Sequence, residues 1–250
     1  MSDFLSGKVA VVTGGSGTIG KAIAKGLLIS GCNVFITGRN QQRLEEAIAE
    51  LTNDDANHGE VKYFQGDVCV DKDVSNLFDA VIEAFGRVDL LVNNAGTGAK
   101  DKTVDLETAE FDRVMRVNVT GPFICAREAM KRMILAKKGG RIINIGSISA
   151  ISPRPNSAPY TASKFALLGL SHSLSLDCRE HGIGVGVIHP GNVISGILDA
   201  EEIKRRSESE GFMNAEDVAN CVLAMSSLPY HSNVLEMTVT PTKQPLIGRG

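Results

Sequence analysis

No stretch of the 250-residue chain approaches the roughly 18 consecutive apolar residues that a membrane-spanning helix needs. A basic leader is missing as well. The chain opens Met-Ser-Asp-Phe-Leu-Ser-Gly-Lys, and the apolar Val9–Val12 that follows has only the length of a strand. Cysteine is scarce and scattered: Cys32, Cys69, Cys125, Cys178 and Cys221 form no C-x-x-C pair. That pattern suits reduced thiols in a cytoplasmic protein better than a disulfide framework or a zinc centre. Charge of one sign is also lacking. Lys and Arg number 26 against 29 Asp and Glu, a net charge of −3, so there is no basic footprint for nucleic acid. Internal repeats, low-complexity tracts and Pro/Gly/Ser linkers are absent, and 43% hydrophobic with 22% charged residues argues against disorder. The expectation is one cytoplasmic domain over 1–250, long enough for an ordinary core without staples.

What is present is an alternation. Short Val/Ile-rich runs occur at Val9–Thr13, Asn33–Thr37, Val61–Gln65, Asp89–Val92, Arg141–Ile145, Gly184–His189 and Val234–Val239. Most read as continuous apolar stretches, as strands buried on both faces do. Helical patterns lie between them near 18–30, 40–51, 72–86, 107–137, 158–181 and 215–228. Strand–helix alternation predicts an α/β fold: one doubly wound Rossmann domain of about seven parallel strands with helices on both faces. In such a sheet ligands bind beyond the C-terminal strand ends, so the residues after each strand carry the information.

The first strand runs into Thr13-Gly-Gly-Ser-Gly-Thr-Ile-Gly20, where Gly15, Gly17 and Gly20 satisfy G-x-G-x-x-G. Glycine lets the backbone turn sharply and approach a pyrophosphate, which the following helix N-terminus then meets. The second strand ends in Gly38-Arg39-Asn40, about 20 residues on, where a carboxylate would grip a ribose 2′-hydroxyl. A guanidinium there, with Arg43 one turn further, suits a 2′-phosphate, so NADP(H) is preferred and NAD(H) is the alternative.

Later strand ends lead into Asn93-Asn94-Ala95-Gly96 and Gly146-Ser147-Ile148-Ser149, and a helical pattern carries Tyr160-Thr-Ala-Ser-Lys164. Tyr160 and Lys164, four apart, share a helix face about 6 Å apart along the axis. A free tyrosine ionises near pH 10, so a neighbouring ammonium is expected to lower its pKa toward the range of a general acid/base. The five histidines show no ligand spacing and are read as structural, and no metal site is expected. Lys204-Arg205-Arg206 reads as a solvated face.

Taken jointly, Thr13–Gly20, Asp67-Val68, Asn93–Gly96, Asn118, Ser147, Tyr160/Lys164 and Pro190-Gly191 resemble the compact single-domain branch of the short-chain dehydrogenase/reductase family over essentially the full length. The thirteen-residue interval from Ser147 to Tyr160 is the family's usual one. The resemblance implies NADP(H)-dependent hydride transfer between the nicotinamide and a carbonyl or secondary alcohol. It implies catalytic roles for Asn118, Ser147, Tyr160 and Lys164: Tyr160 as general acid/base, Ser147 holding the substrate oxygen, Lys164 on the nicotinamide ribose and Asn118 anchoring a water that joins Lys164 to solvent. Cofactor contacts are implied for Gly14, Ser16, Gly17, Thr18, Ile19, Arg39, Asp67, Val68, Asn94, Ala95, Gly96, Tyr160, Lys164, Pro190, Gly191, Val193 and Ser195. A homodimer or homotetramer, joined through the helices at 107–137 and 158–181, is implied too.

Two features depart from the compact pattern. Thr18 stands where that branch has a glycine, and the loop fits T-G-x-x-G-x-x-G of the longer, epimerase-like branch. A sugar-nucleotide epimerase or dehydratase is therefore an alternative reading, as is a non-catalytic NADP(H) sensor. The C-terminal segment 241–250 replaces the glycine-rich closing segment of many relatives and is similar to the tail of members that oxidise small hydroxy acids or reduce varied carbonyls. A short substrate lid is expected near 192–212, with Ser149–Pro159 as a second wall and Arg154 a contact on it.

Overall fold

The computed structural model describes residues 3–53, 59–99, 102–194 and 200–247. Its centre is a seven-stranded sheet: β1 (Val9–Thr13), β2 (Asn33–Gly38), β3 (Val61–Gln65), β4 (Leu90–Asn93), β5 (Gly140–Ile145), β6 (Ile183–Pro190) and β7 (Glu236–Val239). The order is β3-β2-β1-β4-β5-β6-β7 and every pairing is parallel. The strand order reverses direction between β1 and β4, so a crevice opens there at the C-terminal strand ends.

Alternation explains why the central strands read as unbroken apolar runs. Ala10 and Val12 of β1 face one side, packing with α1 (Thr18–Ile29), α2 (Gln41–Thr52) and α8 (Ala215–Ser226). Val9 and Val11 face the other, packing with α3 (Asp71–Phe85), α5 (Gly121–Ala136) and α6 (Ala158–Asp177). Both faces are covered, so both parities must be apolar. β7, the edge strand, is covered on one side only and alternates exposed with half-buried residues.

The expected elements are present with altered ends. The helical stretch expected over 107–137 is α4 (Thr108–Met115), one wide π turn over Arg116–Thr120, and α5. The stretch expected over 158–181 ends at Asp177 and continues as a 3-10 turn, Arg179–His181. The last strand begins at Glu236, two residues later than Val234. One helix was not foreseen: α7 (Ala200–Ser209) lies inside the proposed lid. Its sequence, Ala-Glu-Glu-Ile-Lys-Arg-Arg-Ser-Glu-Ser, offers no apolar stripe for a periodicity argument to find.

Candidate active site

The crevice is lined first by the glycine loop. Gly14 has φ +63, and a Cβ there would lie 2.9 Å from Ala95 Cα. A Cβ on Gly20 would lie 2.3 Å from the Gly14 carbonyl oxygen and 2.7 Å from Asn94 Nδ2. The close approach is held from β4: Asn94 Nδ2 donates to the carbonyls of Thr13 (3.0 Å) and Gly14 (3.2 Å), while Thr13 Oγ1 accepts the N–H groups of Asn94 and Ala95 (both 3.0 Å). Gly17 caps α1 without a side-chain hydrogen bond, which leaves first-turn N–H groups for an anion. Thr18 opens that helix exposed, Ser16 and Gly17 are half-buried, and Ile19 packs on the core. These residues fit a pyrophosphate: the cradle is built of backbone that side chains would fill.

At the far end of the crevice, Arg39 follows β2 with an exposed side chain. Its carbonyl accepts from Gln65 Nε2 (3.1 Å), and its charge, with that of Arg116, bears on the Cys69 thiol, which burial nonetheless pushes up to about 11. Asp67 Oδ1 accepts the Cys69 N–H (2.9 Å), and the Asp67 N–H is given to Asp73 Oδ2 (2.9 Å). Val68 packs so tightly on Gly121 that a Cβ there would lie 2.9 Å from Val68 Cγ2. Arg39, Asp67 and Val68 thus stand near one another at the ends of β2 and β3. Arg43 sits one turn into α2, its N–H taken by Asn40 Oδ1 (3.0 Å).

The chemically active groups gather beyond β4 and β5. Ser147 follows β5 in extended conformation and is 8% exposed. Its Oγ accepts the Ser149 N–H (3.1 Å), so its own proton remains to be given elsewhere. Tyr160 and Lys164 lie one turn apart on α6, with Lys164 Nζ 5.5 Å from the Tyr160 ring centre and donating to the Ile145 carbonyl (2.9 Å). Gly96, exposed, is the floor between them and the π turn: a Cβ there would be 3.5 Å from Asn118 Oδ1 and 4.0 Å from Lys164 Nζ. Asn118 is fully engaged. Its Nδ2 donates to the Thr97 carbonyl (2.8 Å) and Ser163 Oγ (2.9 Å), and its Oδ1 accepts the Thr97 N–H (2.8 Å). Thr97 and Ser163 escaped the sequence analysis, because nothing in their spacing marks them as partners of an amide in a widened turn.

The electrostatics correct one expectation. Tyr160 is shifted upward, not downward: burial raises its pKa and outweighs the hydrogen bond from Ser147 and the charge of Arg154, both of which lower it. Lys164 is not among the groups that lower it, and burial lowers the pKa of Lys164 itself to about 8. Two buried groups with opposite charged forms are each pushed toward neutrality.

On the substrate side, Pro190 ends β6 buried, and Gly191 gives its N–H to the Val239 carbonyl (2.8 Å). Val193 bridges to Met213 across the base of the lid. Ser195 lies outside the described residues. A polar bridge joins the walls. Arg154 Nη2 donates to Asn192 Oδ1 (2.8 Å), Asn192 Nδ2 donates to Glu210 Oε2 (2.8 Å), and Gln244 accepts the Asn192 N–H (2.9 Å). The C-terminal tail therefore folds back on the chain's own lid base, a role for Gln244 that the sequence did not signal.

Residues 8–205 match the family model described as short chain dehydrogenase. The chain is 35% identical over 234 residues to an uncharacterized oxidoreductase from Staphylococcus epidermidis, covering 94% of this chain and 97% of that one. It is 34% identical over 237 residues to an uncharacterized oxidoreductase from Staphylococcus aureus, covering 95% and 98%. A dehydrogenase/reductase from Sinorhizobium meliloti superposes with a TM-score of 0.85 at 31% identity, over 95% of this chain and 96% of that one. A short-chain type dehydrogenase/reductase from Mycobacterium marinum shares the fold, with a TM-score of 0.89 at 24% identity over 96% and 97%. The glycine cradle, the parallel sheet and these matches converge: the chain belongs to the short-chain dehydrogenase/reductase family of NAD(P)-linked oxidoreductases.

Proposed function

We propose that the protein is an NADP(H)-dependent oxidoreductase that interconverts a carbonyl and a secondary alcohol, with Tyr160 as general acid/base. The observation that carries this reading is the meeting of Ser147, Tyr160 and Lys164 beside the floor at Gly96, in the same crevice as the glycine loop. The bound dinucleotide supplies or takes the hydride. Gly14, Gly17 and Thr18 with the α1 N-terminus hold its pyrophosphate, Arg39 its 2′-phosphate, Asp67 and Val68 its adenine, and Pro190, Gly191 and Val193 border its nicotinamide. Ser16, Ile19, Asn94 and Ala95 complete the wall.

The protein's own part is positioning and proton transfer. Ser147 gives its hydroxyl proton as a hydrogen bond to the substrate oxygen and steadies the charge that develops there. Tyr160 delivers a proton to that oxygen in reduction and receives one in oxidation. Its raised pKa keeps the phenol protonated at neutral pH, the form that donates in reduction. Asn118 holds Thr97 and Ser163 in place, and a water anchored at Asn118 leads from Lys164 to solvent. The five free cysteines suit a reducing, cytoplasmic setting. Association into a homodimer or homotetramer through α5 and α6 is part of the same reading.

The test is oxidation of NADPH and NADH against a carbonyl panel of ketoacyl thioesters, ketoses, diketones and steroid ketones. Tyr160→Phe is expected to lower kcat about 10²–10⁴-fold, the usual contribution of a positioned acid. Arg39→Asp is expected to weaken NADPH at least about tenfold with little change for NADH, the loss of one charge-assisted phosphate contact. Unchanged turnover in Tyr160→Phe overturns the catalytic assignment, and equal losses for both cofactors overturn the NADP(H) preference.

A further inference from the structure

The residues that place Ser147 point to a histidine with no assigned role. β5 and β6 pair in parallel up to Ile145 opposite Ile188, and the Gly146 N–H reaches the Ile188 carbonyl (2.7 Å). The next rung of a parallel ladder would run from the N–H of residue 190 to the Gly146 carbonyl, but residue 190 is a proline and has no N–H. Main-chain pairing therefore ends just before Ser147. One residue further on, the His189 side chain holds the chain instead: its Nδ1 lies 2.9 Å from the Ser147 carbonyl oxygen. A carbonyl only accepts, so Nδ1 carries the proton and Nε2 is left with its lone pair in the neutral ring. The contact has no slack, since a Cβ on Gly146 would lie 2.7 Å from His189 Nδ1.

His189 is fully buried on the sheet face that lies under α6. Its Nε2 has no hydrogen-bond partner among the described residues. The titratable groups around it are Glu236 of β7 (3.9 Å from Nε2), with Lys164 and His172 of α6; His172 Nε2 lies 2.9 Å from Glu236 Oε1. Burial lowers the pKa of His189 and outweighs the Ser147 carbonyl and Glu236, which raise it, so the ring is neutral at physiological pH. A neutral imidazole with a buried, unpaired nitrogen is a poor choice for packing alone, where leucine or valine would cost nothing.

We propose that His189 is the positioning residue for Ser147, its Nδ1–H holding the Ser147 carbonyl just past the point where Pro190 ends the ladder and so fixing the serine hydroxyl toward Tyr160 and the substrate oxygen. This rests on the function proposed above for Ser147. The inference predicts the tautomer directly. In protein carrying ¹⁵N-labelled histidine at pH 7.5, long-range ¹H–¹⁵N spectra are expected to show His189 neutral with the proton on Nδ1. A proton on Nε2 alone overturns the proposal, whatever the enzyme's activity. The functional arm compares three variants. His189→Leu is expected to lower kcat about 10–100-fold while the NADPH dissociation constant stays within about twofold, the signature of a displaced catalytic group. His189→Asn puts a donor where Nδ1 stood and is expected to recover most of that loss, and His189→Gln, whose donor reaches the Nε2 position, is not. Equal impairment of Asn and Gln, or a folded Leu variant with kcat within about twofold of the parent, overturns it. If Leu fails to fold, the Asn-to-Gln order decides. Full activity in Tyr160→Phe would instead remove the catalytic reading while leaving the tautomer result standing.

Discussion

Lys164 shows most plainly what the site costs the fold. It is a cation 6% exposed whose pKa burial lowers from 10.5 to about 8, equivalent to about 3 kcal/mol of unfavourable burial at neutral pH. Below about pH 8 it is charged in both folded and unfolded chains and the penalty is complete. Between about 8 and 10.5 the folded chain releases its proton first, so this group makes the protein more stable as pH rises through that window. In Lys164→Met the rise disappears. Denaturant unfolding at pH 7 and pH 10 is expected to show the parent gaining about 2–3 kcal/mol relative to the variant between the two conditions. Parallel stability profiles would mean that the ammonium is solvated and not buried against the Ile145 carbonyl. The same reasoning explains Tyr160. A neighbouring cation lowers a phenol only when its field outweighs burial, and here burial dominates while the Ser147 hydrogen bond and the Arg154 charge pull the other way. The Y-x-x-x-K spacing put the two side chains on one helix face, as found; it carries no information on the depth at which the pair sits, and depth decided the sign.

At the scale of elements, the turn from β1 into α1 has the least tolerance. Alanine at position 20 would gain about 1 kcal/mol of helix propensity over glycine. It would also set a methyl group 2.3 Å from the Gly14 carbonyl and 2.7 Å from Asn94 Nδ2, both fixed parts of the loop. Overpacking against backbone costs about 3 kcal/mol or more and wins. Gly20→Ala is therefore expected to lower stability by about 2 kcal/mol or more, and to weaken NADPH binding measured by fluorescence titration. Wild-type affinity and stability would show that the loop can open without loss. Elements of this kind were legible because their sequence is constrained locally: Val9–Val12 must be apolar at every position, and Gly20 must be bare. The elements that escaped are those set by distant partners. The π turn at Arg116–Thr120 exists where Asn118 is drawn to Thr97 and Ser163, a tertiary bargain that periodicity cannot express. α7 has a single large apolar residue, Ile203, so its helical form leaves no stripe. Val234 and Leu235 read as strand by composition, but the ladder with β6 starts only at Glu236 opposite Val187.

For the whole molecule, the face formed by α5 and α6 is the part that the sheet leaves unfinished. Phe123 on α5 and Phe165 and Leu176 on α6 are 41%, 46% and 61% exposed, although each helix already buries its opposite side. Burying a large apolar side chain contributes about 1.5–3 kcal/mol, and symmetry counts each contact twice in a homodimer. The proposed association through these helices gives a quantitative expectation. Sedimentation at micromolar concentration should find at least twice the chain mass, and Phe165→Asp should move the equilibrium toward monomer by at least about tenfold in dissociation constant. Ile29→Asp, a comparable change on α1 away from this face, should leave it unmoved. A wild-type monomer under those conditions would refute association, and equal effects of the two substitutions would refute its location. Because Tyr160 and Lys164 project inward from the same α6 that carries Phe165 and Leu176 outward, the interface would also stiffen the catalytic helix. Phe165→Asp is accordingly expected to lower kcat as well as mass, and the two losses should follow the same dependence on protein concentration.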